Sequence, residues 1–146
     1  MSHTPQRVSL ITLGVRDLAR ARSFYAALGW RGSPHGTAEV AFYQMQGSVL
    51  ALFGLGDLAQ DQGRPVKALG TGAAALAQNF ETEREVDAAH ALALSAGATS
   101  LKAPAKTPWG GYSGYYADPD GHVWELACNP FWPLGADGSL TLPDTP

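Results

Sequence analysis

At 146 residues, 45% of them apolar, and with a formal charge of −3, the chain has the size and core-forming content of one globular domain. Its charges are interspersed and no basic run occurs, so nucleic acid is not an expected partner. No apolar run approaches the roughly 18 residues that a bilayer crossing needs, and Met1 to Arg7 is too polar for a secretory h-region, so a cytoplasmic protein with no membrane partner is expected. The lone cysteine, Cys128, rules out an internal disulfide and a multi-cysteine metal site, and reads as a small buried hydrophobe.

Val8 to Leu13 is β-rich and predicts the first strand. At Val15-Arg16-Asp17-Leu18 the hydrophobic period changes from two toward 3.6, predicting a helix. Asp17 is a suitable N-cap, Leu18, Ala21, Tyr25 and Leu28 form one stripe with Phe24 beside it, and Gly29 stands where a C-terminal glycine belongs. Val40 to Met45 and Val49 to Phe53 then read as extended segments joined by Gln46-Gly47-Ser48. Residues 54 to 72 are rich in glycine, aspartate and glutamine without a clear period, and read as a linker.

The order then recurs. Ala73 to Phe80 predicts a strand, and Thr82 with Glu85 three places on is a capping-box pattern. The second stripe, Val86, Ala89, Ala93 and Ala96 followed by Gly97, repeats the first helix with one offset of about 68 residues, the mark of an internal duplication. Thr99 to Lys102, Tyr112 to Ala117 and His122 to Cys128 read as strands, the last two joined by a type I turn at Asp118-Pro119-Asp120-Gly121. The tail from 129 to 146 is proline-rich and expected to be irregular, with Phe131 and Trp132 packed on the body because those rings are costly to leave in water.

With the duplicated layout established, Leu13-Gly14-Val15-Arg16-Asp17-Leu18, Ser23-Phe24-Tyr25, Leu28-Gly29-Trp30 and above all Asp118-Pro119-Asp120-Gly121-His122-Val123-Trp124-Glu125-Leu126 resemble the vicinal oxygen chelate superfamily. This is the group of glyoxalase I, bleomycin-resistance and extradiol-dioxygenase proteins. The resemblance implies an α+β fold of two tandem βαβββ modules whose curved mixed sheets surround a cavity, often as a homodimer. It places module one at about 7 to 54, the linker at about 55 to 72, module two at about 73 to 128 and the tail at 129 to 146, all within one domain. The fold alone does not assign a chemistry, since it hosts lyases, dioxygenases, transferases, epimerases and drug binders.

In metal-dependent members of that superfamily, the first and last strands of each module supply the ligands. The resemblance puts those positions at Leu10, Ala51, Ala75 and Glu125, three of which have no donor atom. Independently, a catalytic divalent ion takes at least three ligands from His, Asp, Glu or Cys, and the histidines are scattered: His3 near the N-terminus, His35 in a loop, His90 on a helix, and His122 at an odd spacing from Glu125. No metal and no other cofactor is therefore expected.

Glu125 then reads either as a fold-retained strand carboxylate or as a cavity group able to act as a general base or to anchor a ligand. The family's hairpin register places Tyr115 beside it, on the face it shares with Ser113, while Tyr112 and Tyr116 take the other face. Trp124 is assigned to packing against a helix. Leu10, Thr12, Ala51, Ala75, Ala77 and Asn79 are the expected floor, and Trp109 is a stacking face on a Gly110-Gly111 backbone that a ligand can approach. Two functions fit: a metal-free protein binding a hydrophobic or aromatic organic ligand, or an enzyme acting on a small carbonyl or aromatic compound with Glu125 and Tyr115 as acid and base. A protein-interaction module with a filled cavity is a third.

Overall fold

The computed structural model describes residues 2 to 145, and the chain divides into two units, one ending at Leu69 and one beginning at Gly70. The first unit opens with strand β1 (Leu10–Val15) and helix α1 (Leu18–Ala27), continues through β2 (Val40–Gln44) and β3 (Val49–Gly54), and ends with helix α2 (Leu55–Gln62) and a 3-10 turn at Val66–Ala68. The second comprises β4 (Ala75–Asn79), helix α3 (Glu83–Ser95), β5 (Thr99–Lys106), β6 (Tyr112–Ala117) and β7 (Val123–Cys128). The fold is α+β, with a three-stranded sheet β1-β3-β2 and a four-stranded sheet β4-β7-β6-β5. In each, the opening strand runs parallel to the closing one and the remaining pairs are antiparallel.

Helices α1 and α3 are closed by the same devices at their ends, although α3, at 13 residues, is longer than α1, at 10. Asp17 accepts from the Arg20 N–H at 3.1 Å and Thr82 from the Glu85 N–H at 3.1 Å, each capping the first turn of its helix. At the other ends Gly29 and Gly97 take φ of +91° and +114°. The following N–H groups, of Trp30 and Ala98, reach back to the carbonyls of Tyr25 and Ala93. That six-to-one closure needs a left-handed residue, which glycine adopts at least cost.

Three features depart from the sequence expectation. The opening strand is Leu10–Val15, two residues later than Val8 to Leu13. Among the described residues module one has three strands instead of four, because 31 to 39 forms no strand and attaches to β2 by backbone bonds such as Ser33 N to Phe42 O. The expected linker carries α2, whose Leu55 and Leu58 lie on β1: a Cβ at Gly14 would sit 2.7 and 3.0 Å from them. An eight-residue helix is too short to hold itself, so this contact, not local propensity, decides it.

In module two the hairpin turn is as expected. Gly121 N donates to Asp118 O, and the Asp118 carboxylate accepts from the N–H groups of Asp120 and His122, each at 2.9 Å. Strand β5 runs on to Lys106 past Pro104, with register shifts on both sides of Lys102. Proline is tolerated there because β5 is an edge strand, with one row of backbone groups outside the ladder.

Candidate functional site

Side chains alternate across a strand, so the ladder registers sort the β4-β7-β6-β5 sheet into two faces. One face is covered by α3. There Tyr116 and Trp124 stack with centroids 6.5 Å apart, Leu126 is buried with them, and the Tyr112 hydroxyl donates to Asp87 of α3 at 2.6 Å. Trp124 is therefore a packing residue, as expected. From α3, Val86 and Ala93 are buried against this layer, and His90 Nε2 lies 3.1 Å from Ser100 Oγ.

The opposite face is open, and its centre is one row across all four strands: Ala77, Glu125, Tyr115 and Lys102 are successive register partners. The Tyr115 hydroxyl donates to Glu125 Oε2 at 2.5 Å, and both residues are half-buried. Donation to the carboxylate, then burial, raises the Tyr115 pKa, so the phenol is held protonated. The flanking rows contribute small side chains, Ala75, Val123 and Ala117 on one side and Asn79, Ala127 and Ser113 on the other. Ser113 and Ala127 are themselves buried, so the phenol–carboxylate pair stands among small apolar groups with the Asn79 amide at its edge. That arrangement can take the polar end of an organic molecule while accommodating an apolar body.

The remaining candidates fall as follows. In module one, Leu10, Thr12 and Ala51 share the face of the β1-β3-β2 sheet that α1 does not cover. Leu10 is 49% exposed and Thr12 half-buried, whereas Ala51 is 1% exposed and its methyl presents no accessible surface. Trp109 is 47% exposed, and its indole lies over Gly111, where a Cβ would come within 2.0 Å of two ring carbons. Gly110 meets the Phe131 ring in the same way, at 3.0 Å. The paired glycines therefore admit the chain's own rings, not a backbone approach by a ligand. Phe131 and Trp132 pack only in part, remaining 62% and 40% exposed, with the edge of the Phe131 ring against Gly110. Sequence reasoning passed over Lys102, since the flanking register shifts hide which face it takes.

Cys128 is half-buried, its thiol 3.4 Å from Glu81 O. Burial and then the Glu83 and Glu85 charges push its pKa up, which keeps it a weak nucleophile. The donor set does not fit a divalent metal: Leu10, Ala51 and Ala75 have no donor atoms, and Glu125 is already engaged by Tyr115. Among the described residues no three His, Cys, Asp or Glu side chains gather into a set that would hold an ion, and no helix is long and apolar enough to cross a membrane.

Two duplicated units, each closing a mixed sheet with a parallel first-to-last strand pair and carrying a helix on one face, define the glyoxalase-type class of α+β protein. The description Glyoxalase/Bleomycin resistance protein/Dioxygenase superfamily matches residues 7–126, and the chain belongs to that superfamily. It is similar to a glyoxalase-related enzyme from Fulvimarina pelagi at 43% identity and TM-score 0.88, over 94% of this chain and 99% of that one. A glyoxalase/bleomycin resistance protein/dioxygenase family enzyme from Burkholderia phytofirmans shares the fold at 20% identity and TM-score 0.74, over 82% and 96% of the two chains. A lactoylglutathione lyase from Agrobacterium tumefaciens does so at 21% and 0.65, over 88% and 98%. None of the functionally curated proteins matches the chain.

Proposed function

We propose that this protein is a metal-independent cytoplasmic binder of a small hydrophobic or aromatic organic molecule, held on the open sheet face of module two and assembled as a homodimer. The observation that carries the reading is the Tyr115–Glu125 hydrogen bond at the centre of a floor of small residues. A ligand carbonyl or hydroxyl would exchange partners with the phenol and carboxylate, while its apolar part covers Ala75 and Ala77. The same pair supports a second reading, catalysis: Glu125 is positioned to take a proton from a bound carbonyl compound, and the protonated Tyr115 to donate a hydrogen bond to the oxygen that gains charge.

Native mass spectrometry of freshly purified protein tests the first reading. The expected spectrum is that of a dimer carrying an organic adduct that is released on denaturation and absent from a Glu125→Ala, Tyr115→Phe double variant. Stoichiometric zinc, nickel or iron would overturn the metal-independent account. A Glu125→Gln variant that retains the adduct but loses conversion of it would establish the catalytic reading instead.

A further inference from the structure

Within module one, α1, the segment after it and β2 line a hollow of about 520 Å³. The residues that line it include Ala26, Ala41, Trp30, Tyr43, Ser33 and Arg22. Arg22 is the unusual member. Its Nη2 donates to the carbonyls of Thr37 and Val40, the latter at 3.1 Å, but the buried Nε–H has no acceptor. Among the described residues no carboxylate pairs with it. A half-buried cation that meets only neutral carbonyls is incompletely compensated, and a buried donor without an acceptor is costly. The charge is felt in the hollow: burial raises the Tyr43 pKa, and Arg22 opposes that rise.

We propose that this hollow is a second binding site, for a small organic carboxylate with a compact apolar or aromatic body. Arg22 takes the carboxylate through charge-assisted hydrogen bonds, the strongest that a neutral-pH side chain offers. The Ser33 hydroxyl gives the same end a further donor, and Trp30, half-buried and packed edge-on to the buried Tyr43 at 5.9 Å, offers the body apolar ring surface on one side. The hollow falls in the size range of small-molecule pockets. An amide of the same shape forfeits the charge and is expected to bind about tenfold more weakly.

The test uses benzoate and benzamide as probes and the indole N–H resonances of the full protein as the readout. Trp30 is the one tryptophan of module one, so its signal, assigned with a Trp30→Phe variant, separates this site from Trp109, Trp124 and Trp132. Benzoate is expected to shift Trp30 saturably in the millimolar range or below, benzamide about tenfold more weakly, and Arg22→Gln to erase that preference. Equal binding of the two probes, no saturable shift of Trp30, or a response confined to the module-two tryptophans would overturn the proposal. Because Arg22 also ties Thr37 and Val40 to α1, the Gln variant is read only if its spectrum stays dispersed, and the benzoate–benzamide comparison on the unaltered protein decides the matter alone. None of these outcomes depends on Glu125 or Tyr115.

Discussion

The two modules place the same helix on the same kind of sheet, yet they fill the space between by opposite means. In module one the helix supplies the bulk: Phe24 and Tyr25 of α1 are buried, with Tyr25 stacked on Trp30 at 5.0 Å and 6.1 Å from Tyr43. In module two the equivalent of Tyr25 is Ala93, and the rings come from the sheet, as Tyr116 and Trp124. A duplicated backbone therefore does not require duplicated side chains. It requires only that the facing surfaces together fill the same depth, with Tyr43 of β2 joining the helix rings in module one and the small Ala93 facing the sheet's rings in module two, because interiors pack to a nearly constant density.

The largest effects should come from deleting the rings on whichever side supplies them. Tyr25→Ala and Trp124→Ala are each expected to lose about 3–5 kcal/mol in urea denaturation. A Trp124→Ala loss below about 1 kcal/mol would break the comparison, since α3 carries no Phe, Tyr or Trp to take its place. Filling the small position should cost less. Ala93→Leu, measured the same way, is expected to destabilise by about 1–3 kcal/mol through overpacking against the Tyr116 layer.

Where the modules are alike, substitutions should act alike. Gly29→Ala and Gly97→Ala force a Cβ into the left-handed region and should each cost about 1–2 kcal/mol, equal within error in thermal or urea unfolding. A clear inequality would show that one of the two closures is held by something besides its glycine.

The smallest effect on stability at neutral pH, and the sharpest on the site, is that of Glu125→Gln. Tyr115 is raised from 10.0 first by its hydrogen bond to Glu125 and also by that group's charge. Removing the charge should bring its ionisation, followed by ultraviolet absorbance or by ring-labelled NMR, back toward 10.0. The sign of the linkage follows. A raised folded-state pKa contributes stability that is fully present below pH 10.0 and is lost as pH rises through the folded value. The variant should therefore match the parent's pH dependence at neutrality and differ from it in the alkaline range. An unmoved Tyr115 titration would mean that the carboxylate does not hold the phenol.

Much of this was legible beforehand because it is local. The caps at Asp17 and Thr82, the closing glycines, the hairpin turn at 118 to 121 and the pairing of Tyr115 with Glu125 all follow from short-range spacing or from resemblance over neighbouring strands. Helix α2 was not legible: its stripe of Leu55, Leu58 and Ala59 spans little more than one turn and carries a glycine beside it, and it exists because Gly14 leaves room for two leucines on β1. The Trp109-Gly110-Gly111 segment was incompletely legible for a related reason. Glycines that permit close approach do not say what approaches, and here it is Trp109 itself and a ring 20 or so residues downstream.

The sequence by itself determined the duplication, the α+β class, the superfamily and the absence of metal donors at three of the four positions that the resemblance assigns. Those depend on residue identity at defined spacings, which the chain carries without folding. Only the tertiary structure decided that module one has three strands, that Ala51 is closed off while Leu10 is open, that Lys102 stands in the Glu125 row, and that Arg22 stands over a hollow with a buried N–H unmatched. Each of these turns on which surface covers which, and burial is a property of the packed chain that no local pattern encodes.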